Sequence, residues 1–420
     1  MNTASINDNK LERSIKSSFI DRFAKKKVMS VLAGITEGRL VIDDGGKLTC
    51  FGESADKCSM HAHMFIHHPS AYRDILFGGS IGAAESYMLG SWSTSNLVDV
   101  VRVMSKNIDL LNDMDGSRFL LQRAADKIYH WFNRNTEANA KANISAHYDL
   151  SNEFFSLFLD RSMMYSAAMF PSVDSTLEQA SYYKIDQICQ KLNLVSGDHL
   201  LEIGTGWGGL AVYAASHYGC HVTTTTISRQ QYEFACQRVK DAGLEDKITV
   251  LCKDYRQLEG LYDKLVSVEM IEAVGHKFYG EYFSTCSSLL KKNGLMMVQA
   301  ITIPDQRYNF AKNSVDFIQK YIFPGGCLPS DKVLADNISR HTNMQIIAME
   351  EIGEDYAKTL ELWRLQFHDR LDEVKALGFD DVFIRMWEYY LCYCEGGFRE
   401  RVIGTGQFLL AKPQWTRQES

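Results

Sequence analysis

The chain has 420 residues, 45% of them hydrophobic and 23% charged, which is ordinary globular composition with material for more than one core. Its formal net charge of −7 argues against nucleic-acid binding, which needs a basic surplus to neutralise phosphate. Ten cysteines without CxxC pairs read as reduced thiols rather than a disulfide framework, and no run approaches the roughly 18–20 apolar residues that a spanning helix needs.

The start, "MNTASINDNKLERSIKSS", is polar, and no secretory leader is expected. Residues 10–34 fit an amphipathic helix with Leu11, Ile15, Phe19, Ile20, Phe23, Val28, Val31 and Leu32 apolar and Lys10, Arg13, Lys16, Arg22 and Lys25 to Lys27 basic. Such a helix either packs on its own domain or lies on an anionic bilayer. From 36 to about 70 the pattern becomes strand-like, in "GRLVIDD", "KLTCFGE" and "HAHMFIHHP", with His61, His63, Phe65 and His67 alternating on one face near Cys58. No second ligand pair follows, so no metal site is expected. Residues 1–115 read as a small α+β domain, 116–142 as a connecting helix, and 143–420 as a second, larger domain.

In that larger domain helices and strands alternate. "HLLEIG", "HVTTTTI", "KITVLCKD", "KLVSVEM" and "LMMVQAITIP" read as strands, and "LAVYAASHYG", "RQQYEFACQRVKDAG" and "KFYGEYFSTCSSLLKKNG" as helices. This predicts a parallel, Rossmann-like α/β sheet with helices on both faces.

The most informative stretch is "LLEIGTGWGGLAVYAA". An apolar strand ends in Glu202, Gly204, Gly206, Gly208 and Gly209 follow, and a helix begins. Glycines there let the backbone turn tightly and approach a ligand at the carboxyl edge of the sheet. The loop alone admits a structural turn or a dinucleotide site. Two features point to S-adenosylmethionine (SAM) instead. The spacing is E-x-G-x-G-x-G, and the next strand ends in "TTTTISRQQ" without the acidic residue that an NAD ribose wants. Asp254, ending the third strand in "KDYRQL", stands where an adenine amino group could reach it.

The segments "NISAHYDLSNEFFSLFLDRSMMYSAAMF", "LLEIGTGWGGLA", "TTISRQQ", "SVEMIEAVGHKFY", "DFIQKYIFPGGCLPS", "EDYAKTLELW" and "CEGGFRERVIGTGQ" together resemble the cyclopropane-fatty-acyl-phospholipid synthases and their mycolic-acid-modifying relatives, over essentially all of 143–420. "GGSIGAAESYMLGSW" extends the similarity into the N-terminal region. The resemblance implies a class I SAM-dependent methyltransferase acting on unsaturated phospholipid acyl chains. The alkene takes the methyl carbon, leaving a carbocation, and a base removes a proton. Loss from the new methyl group closes a cyclopropane; loss from a neighbouring carbon leaves a methyl or methylene branch. Cyclopropane formation is the first expectation, branch formation the alternative, and methylation of a small-molecule amine a further one.

In that family a bound bicarbonate serves as base, held by a Cys, a carboxylate, a His and a Tyr. The matching positions are Ala167, Glu272, Gln299 with Ile301 two residues on, and Tyr356, so the Cys and His are replaced and bicarbonate is in question. Gln299 still donates from its amide but carries no proton. Glu269, where the better-known bacterial members have a small residue, is either a brace, a SAM contact or a second catalytic carboxylate. The resemblance further implies a SAM site with Tyr165 and Ser166 flanking the methionine portion. Gly204, Gly206 and Gly208 form its loop, ordered by Glu202; Thr226, Ser228 and Gln231 face the ribose, and Asp254 and Tyr255 bracket the adenine. Tyr308, Tyr321 and Phe323 either line an acyl tunnel or are core aromatics, and His147 braces the fold or meets the head group. The expected setting is cytoplasmic, in peripheral contact with the inner face of a membrane whose phospholipid is the substrate; a homodimer is left open.

Overall fold

The computed structural model describes residues 18–56, 60–110 and 150–416. Cys58, His147 and the predicted connecting helix at 116–142 lie outside the described residues. The chain divides into two units, one formed by Met1–Asn96 with Asn107–Ser117, the other by Leu97–Lys106 with Arg118–Ser420.

In the first unit a helix runs over Phe19–Leu32, started by a capping box in which the Ser18 side chain accepts from Asp21 N while the Asp21 carboxylate accepts from Ser18 N. Its buried stripe is Asp21, Ala24, Val28 and Leu32. Phe19, Ile20 and Phe23, expected on the apolar face, instead stand exposed beside Arg22, Lys26 and Lys27. The stripe repeats at i, i+3, i+7 and i+11 on one face, so Phe19, Ile20 and Phe23 fall off it and are turned outward. Strands β1 (Arg39–Asp44), β2 (Lys47–Gly52), β3 (His61–Ile66) and β4 (Trp92–Thr94) form a sheet in the order β2-β1-β3-β4. Ala62, Met64 and Ile66 of β3 are buried, which turns His61, His63 and Phe65 to the opposite face.

The second unit is built on seven strands: β5 (His199–Ile203), β6 (His221–Thr226), β7 (Ile248–Cys252), β8 (Tyr262–Val268), β9 (Leu290–Thr302), β10 (Gln345–Glu351) and β11 (Gly404–Ala411). Their order is β10-β11-β9-β8-β5-β6-β7. The five strands β5 to β9 pair in parallel. The chain runs outward from β5 through β6 to β7, then returns to lay β8 on the other side of β5. That reversal makes the carboxyl end of β5 the switch point where an open α/β sheet opens a crevice for a ligand. Helices Leu177–Lys191, Gly209–Tyr218 and Arg229–Asp241 pack around β5 and β6 over a core of Ile185, Ile188, Leu200, Leu210, Val222 and Val239. Helix Tyr279–Ser288 closes a second core with Leu201, Leu265, Tyr282, Phe283, Met296 and Phe408.

The parallel Rossmann-like sheet is as the alternation predicts; its far edge is not. β11 runs antiparallel to both β9 and β10. "LLKKNG", read as the end of a helix, belongs to β9 from Leu290 onward, because the helix stops at Ser288. β10 carries a register shift between Ile346 and Ala348, and all of its residues are exposed.

Candidate active site

The glycine loop sits at the switch point. Gly204, Gly206 and Gly208 have φ of 103°, 51° and 82°, in the region that glycine alone enters freely. Gly204 N and Thr205 N both donate to Thr225 O, at 3.0 and 3.1 Å, which ties the loop to the end of β6. Gly209 opens the following helix, where a Cβ would lie 2.4 Å from Ser162 O, so no larger residue fits. Gly206 is the opposite case: nothing lies within 4 Å of where its Cβ would stand. The loop therefore presents bare backbone to open space at the head of a ten-residue helix, a cradle suited to the methionine and ribose portions of SAM.

Beneath it, Glu202 is buried and accepts from Thr224 Oγ1 at 2.6 Å, with Thr205 Oγ1 2.7 Å from the same hydroxyl. Burial pushes its carboxyl up to about 8, against the pull of Thr224 and Lys184. Thr226, Ser228 and Gln231 form a cap. Ser228 Oγ accepts from Gln231 N at 3.3 Å, Ser228 N donates to Thr226 Oγ1 at 3.1 Å, and Thr226 Oγ1 donates to Gln231 Oε1 at 2.9 Å. The motif thus starts the helix Arg229–Asp241 and holds its polar side chains at the sheet edge. Asp254 Oδ1 accepts from both Arg256 N and Arg256 Nε at 2.9 Å. Tyr255 is buried, its ring edge-on to Tyr282 with 5.5 Å between centroids and Arg256 5.2 Å from it.

The segment Tyr165–Ala168 is held at every residue. Tyr165 OH lies 2.8 Å from Tyr390 OH, and Ser166 Oγ accepts from Lys184 Nζ at 2.7 Å. Ala167 N donates to Glu269 Oε1 at 2.9 Å, and Ala168 N to Thr359 Oγ1 at 3.1 Å. Lys184 is fully buried, and burial pulls its ammonium down to about 8 despite the nearby Glu269, Asp160 and Glu202.

The two glutamates separate sharply. Glu269 follows the last residue of β8 with φ 49°, a left-handed conformation costly for a side-chain-bearing residue. That turn aims its carboxylate at three donors. Oε1 accepts from Ala167 N at 2.9 Å and from Gln299 Nε2 at 2.8 Å, and Oε2 accepts from Tyr356 OH at 2.8 Å. Burial raises its carboxyl, while these hydrogen bonds and Lys184 work to keep it ionised. Glu272, in the short turn Ile271–Ala273, accepts from Ile301 N at 2.5 Å, and among the described residues its buried Oε2 has no partner. Burial and then the neighbouring Glu269 push it up to about 8. So Ala167, Gln299 and Tyr356 gather around Glu269, and of the expected set only Ile301 binds Glu272.

Among the tunnel candidates, Tyr308, Tyr321 and Phe323 are all half-buried; Lys312 sits 5.0 Å from the Tyr308 ring and Lys320 5.1 Å from the Tyr321 ring. Cys327 is buried, with its N–H bound to Glu272 O at 2.8 Å. Lys184, Tyr390, Thr359 and Gln407 were not singled out by the sequence reading. Lys184 was legible, because it lies on the buried stripe of its helix with Ala180, Ser181, Ile185 and Ile188, where a lysine without a purpose is costly.

The family profile described as mycolic acid cyclopropane synthetase matches residues 135–408. The chain is 39% identical over 382 residues to tuberculostearic acid methyltransferase of Mycobacterium tuberculosis, covering 89% of this chain and 87% of that protein. It is 35% identical over 366 residues to cyclopropane-fatty-acyl-phospholipid synthase of Escherichia coli, covering 84% and 89%. Among solved structures, mycolic acid cyclopropane synthase CmaA1 complexed with SAH and CTAB superposes with a TM-score of 0.61 at 33% identity, over 65% of this chain and 98% of that one. The chain belongs to the mycolic acid cyclopropane synthetase family and is a SAM-dependent, lipid-modifying methyltransferase.

Proposed function

We propose that the enzyme adds a one-carbon unit from SAM to the double bond of an unsaturated phospholipid acyl chain, and that the Glu269 carboxylate takes the base role bicarbonate plays in ring-forming relatives. The observation that carries this reading is the position of that carboxylate, between Ala167 N, Gln299 Nε2 and Tyr356 OH. All three belong to the set the resemblance assigns to bicarbonate, which also includes Glu272 and Ile301. SAM, when bound, supplies an electrophilic methyl carbon; the chain's own groups order the site and remove the proton. Glu202 and the loop Gly204–Gly208 hold the SAM end, with Thr226, Ser228, Gln231 and Asp254 at the sheet edge and Tyr165 and Ser166 above. Gln299 and Tyr356 aim Glu269 and favour its ionised form against the burial that raises it, and it accepts the proton that the cationic acyl chain gives up. Glu272, pushed up to about 8, is protonated near neutrality and contributes no competing negative charge.

The proton that leaves decides the product, so a rebuilt base site is where ring closure and branching diverge. Ala167, Gln299 and Glu269 all depart from the ring-forming pattern, and the relative at 39% identity is named as a methyltransferase. We therefore assign a methyl- or methylene-branched chain as product. Cyclopropane closure is the second reading, supported by the 35% relative. Purified enzyme incubated with SAM and monounsaturated phosphatidylethanolamine vesicles in bicarbonate-depleted buffer should yield fatty esters one CH2 heavier with olefinic and no cyclopropane proton signals. Cyclopropane signals, or turnover that stops without bicarbonate, would overturn the assignment.

Access to the bilayer fits the first unit, where exposed Phe19, Ile20 and Phe23 alternate with exposed Arg22, Lys26 and Lys27 on one helix. That mixture of apolar and cationic side chains suits the interface of an anionic leaflet, and the reading places the enzyme at the cytoplasmic face. Among the described residues no helix is long and apolar enough to cross a membrane.

A further inference from the structure

Three strands and one helix build a polar line that ends on Glu269. In the antiparallel register Glu350 of β10 lies beside Gln407 of β11, and Gln407 lies beside Gln299 of β9. Gln299 in turn pairs with Val268, the residue before Glu269. Lys191, at the end of helix Leu177–Lys191, reaches over this rung; its Nζ binds Glu350 and donates to Gln407 Oε1 at 2.6 Å. Gln407 Nε2 donates to Gln299 Oε1 at 2.9 Å, and Gln299 Nε2 donates to Glu269 Oε1 at 2.8 Å. Gln299 and Gln407 are both essentially inaccessible, at 0% and 1% exposure.

The direction of this line is forced by chemistry. An ammonium only donates, so Gln407 must present its oxygen to Lys191 and its NH2 to the next residue. Gln299 must then offer its oxygen to Gln407, which leaves its NH2 for Glu269. An amide otherwise has two nearly isosteric orientations, and the wrong one would set a carbonyl oxygen against the carboxylate. We propose that Lys191 and Gln407 are positioning residues that lock the Gln299 amide as a donor to Glu269.

The proposal concerns the state of Glu269 and rests on the reading of Glu269 as base only for its effect on turnover. Other groups facing that carboxylate are Lys184, Tyr356, Tyr390 and Glu272, and Glu350 faces Lys191; all are left unchanged in the test. Gln407→Glu reverses the line: a carboxylate still accepts from Lys191 but has no N–H for Gln299, which must turn its NH2 toward position 407 and its oxygen toward Glu269. The infrared carboxyl band assigned to Glu269, by its absence in Glu269→Gln, should then titrate about one unit or more higher. The acid limb of the kcat profile should move with it while KM for SAM holds. Gln407→Leu takes both hydrogen bonds of the amide away with no change of charge; it frees the Gln299 orientation and should move both in the same direction by less. An unshifted band in a folded Gln407→Leu variant overturns the lock, whatever Gln407→Glu does through its added charge. A shifted band with no change in the kcat profile keeps the lock and refutes Glu269 as the base, as does full activity in Glu269→Gln.

Discussion

Replacing Glu269 with glycine tests the base site most directly. The change relieves the left-handed backbone at φ 49°, which is worth roughly 1–2 kcal/mol. It also strips the acceptor from Ala167 N–H, Gln299 NH2 and Tyr356 OH. A buried donor left unmade costs about 1–3 kcal/mol, so even the low end for these three groups outweighs the backbone gain, and the variant should be less stable by about 1–2 kcal/mol. Removing a general base lowers kcat by typically ~10²–10⁴. The vacated space is lined by an anion's donors, so added bicarbonate should restore part of both losses, raising the melting temperature and the rate of label transfer from methyl-labelled SAM into vesicle lipid. The reasoning fails if the glycine variant works within about tenfold of the parent in bicarbonate-free buffer, since a removed base cannot cost so little.

Glu272→Gln should be mild by comparison, because near neutrality a neutral amide replaces a largely protonated acid; a kcat loss as large as that of Glu269→Gln would reverse the two roles. The same variant carries a pH signature. The folded carboxyl is raised to about 8 from its ordinary 4.5, so the parent's stability falls as pH climbs through that interval, where the unfolded chain has already released the proton. The melting temperature of Glu272→Gln relative to the parent should accordingly rise from pH 5 to pH 8, and a flat difference would count against the raised carboxyl. Lys184→Met removes the cation that helps keep Glu269 ionised; the acid limb of the kcat profile should move upward, and an unchanged limb would show that Lys184 serves the fold alone. Glu395→Ala leaves Arg364 and Arg399 without the buried carboxylate they share. A loss of about 3 kcal/mol is expected, read by denaturant unfolding, and a loss below ~0.5 kcal/mol would mean that water replaces the carboxylate at no cost.

The catalytic sheet was legible because apolar or β-branched runs alternate with helices, and because the glycine loop marks the switch point. β10 was not legible: every residue of "QIIAMEE" is exposed, so no buried face imprints a period of two. β11 carries glycines at 404 and 406 that mask its strand character. At the site, spacing named both glutamates and could not rank them. The left-handed residue at 269 swings that carboxylate toward Ala167 and Gln299, and a backbone reversal of one residue leaves no trace in motif spacing. Gln407 lay inside a recognised segment, yet its role depends on cross-strand register, which only the folded sheet fixes.

A base anchored to the main chain has an obligation that a free anion does not. Bicarbonate can carry its acquired proton away by dissociating, and a fresh ion can take its place. Glu269 stays where it is, so each cycle must end with the proton handed on before the next alkene arrives. Its oxygens are enclosed by Ala167, Gln299 and Tyr356 on the protein side, and Tyr356 itself is stacked on Phe398 and buried. Under the proposed function the proton leaves on the side where the acyl chain would bind. Regeneration of the enzyme is then tied to departure of the modified lipid, and the slow step of a turnover shifts from bond making toward clearing the site.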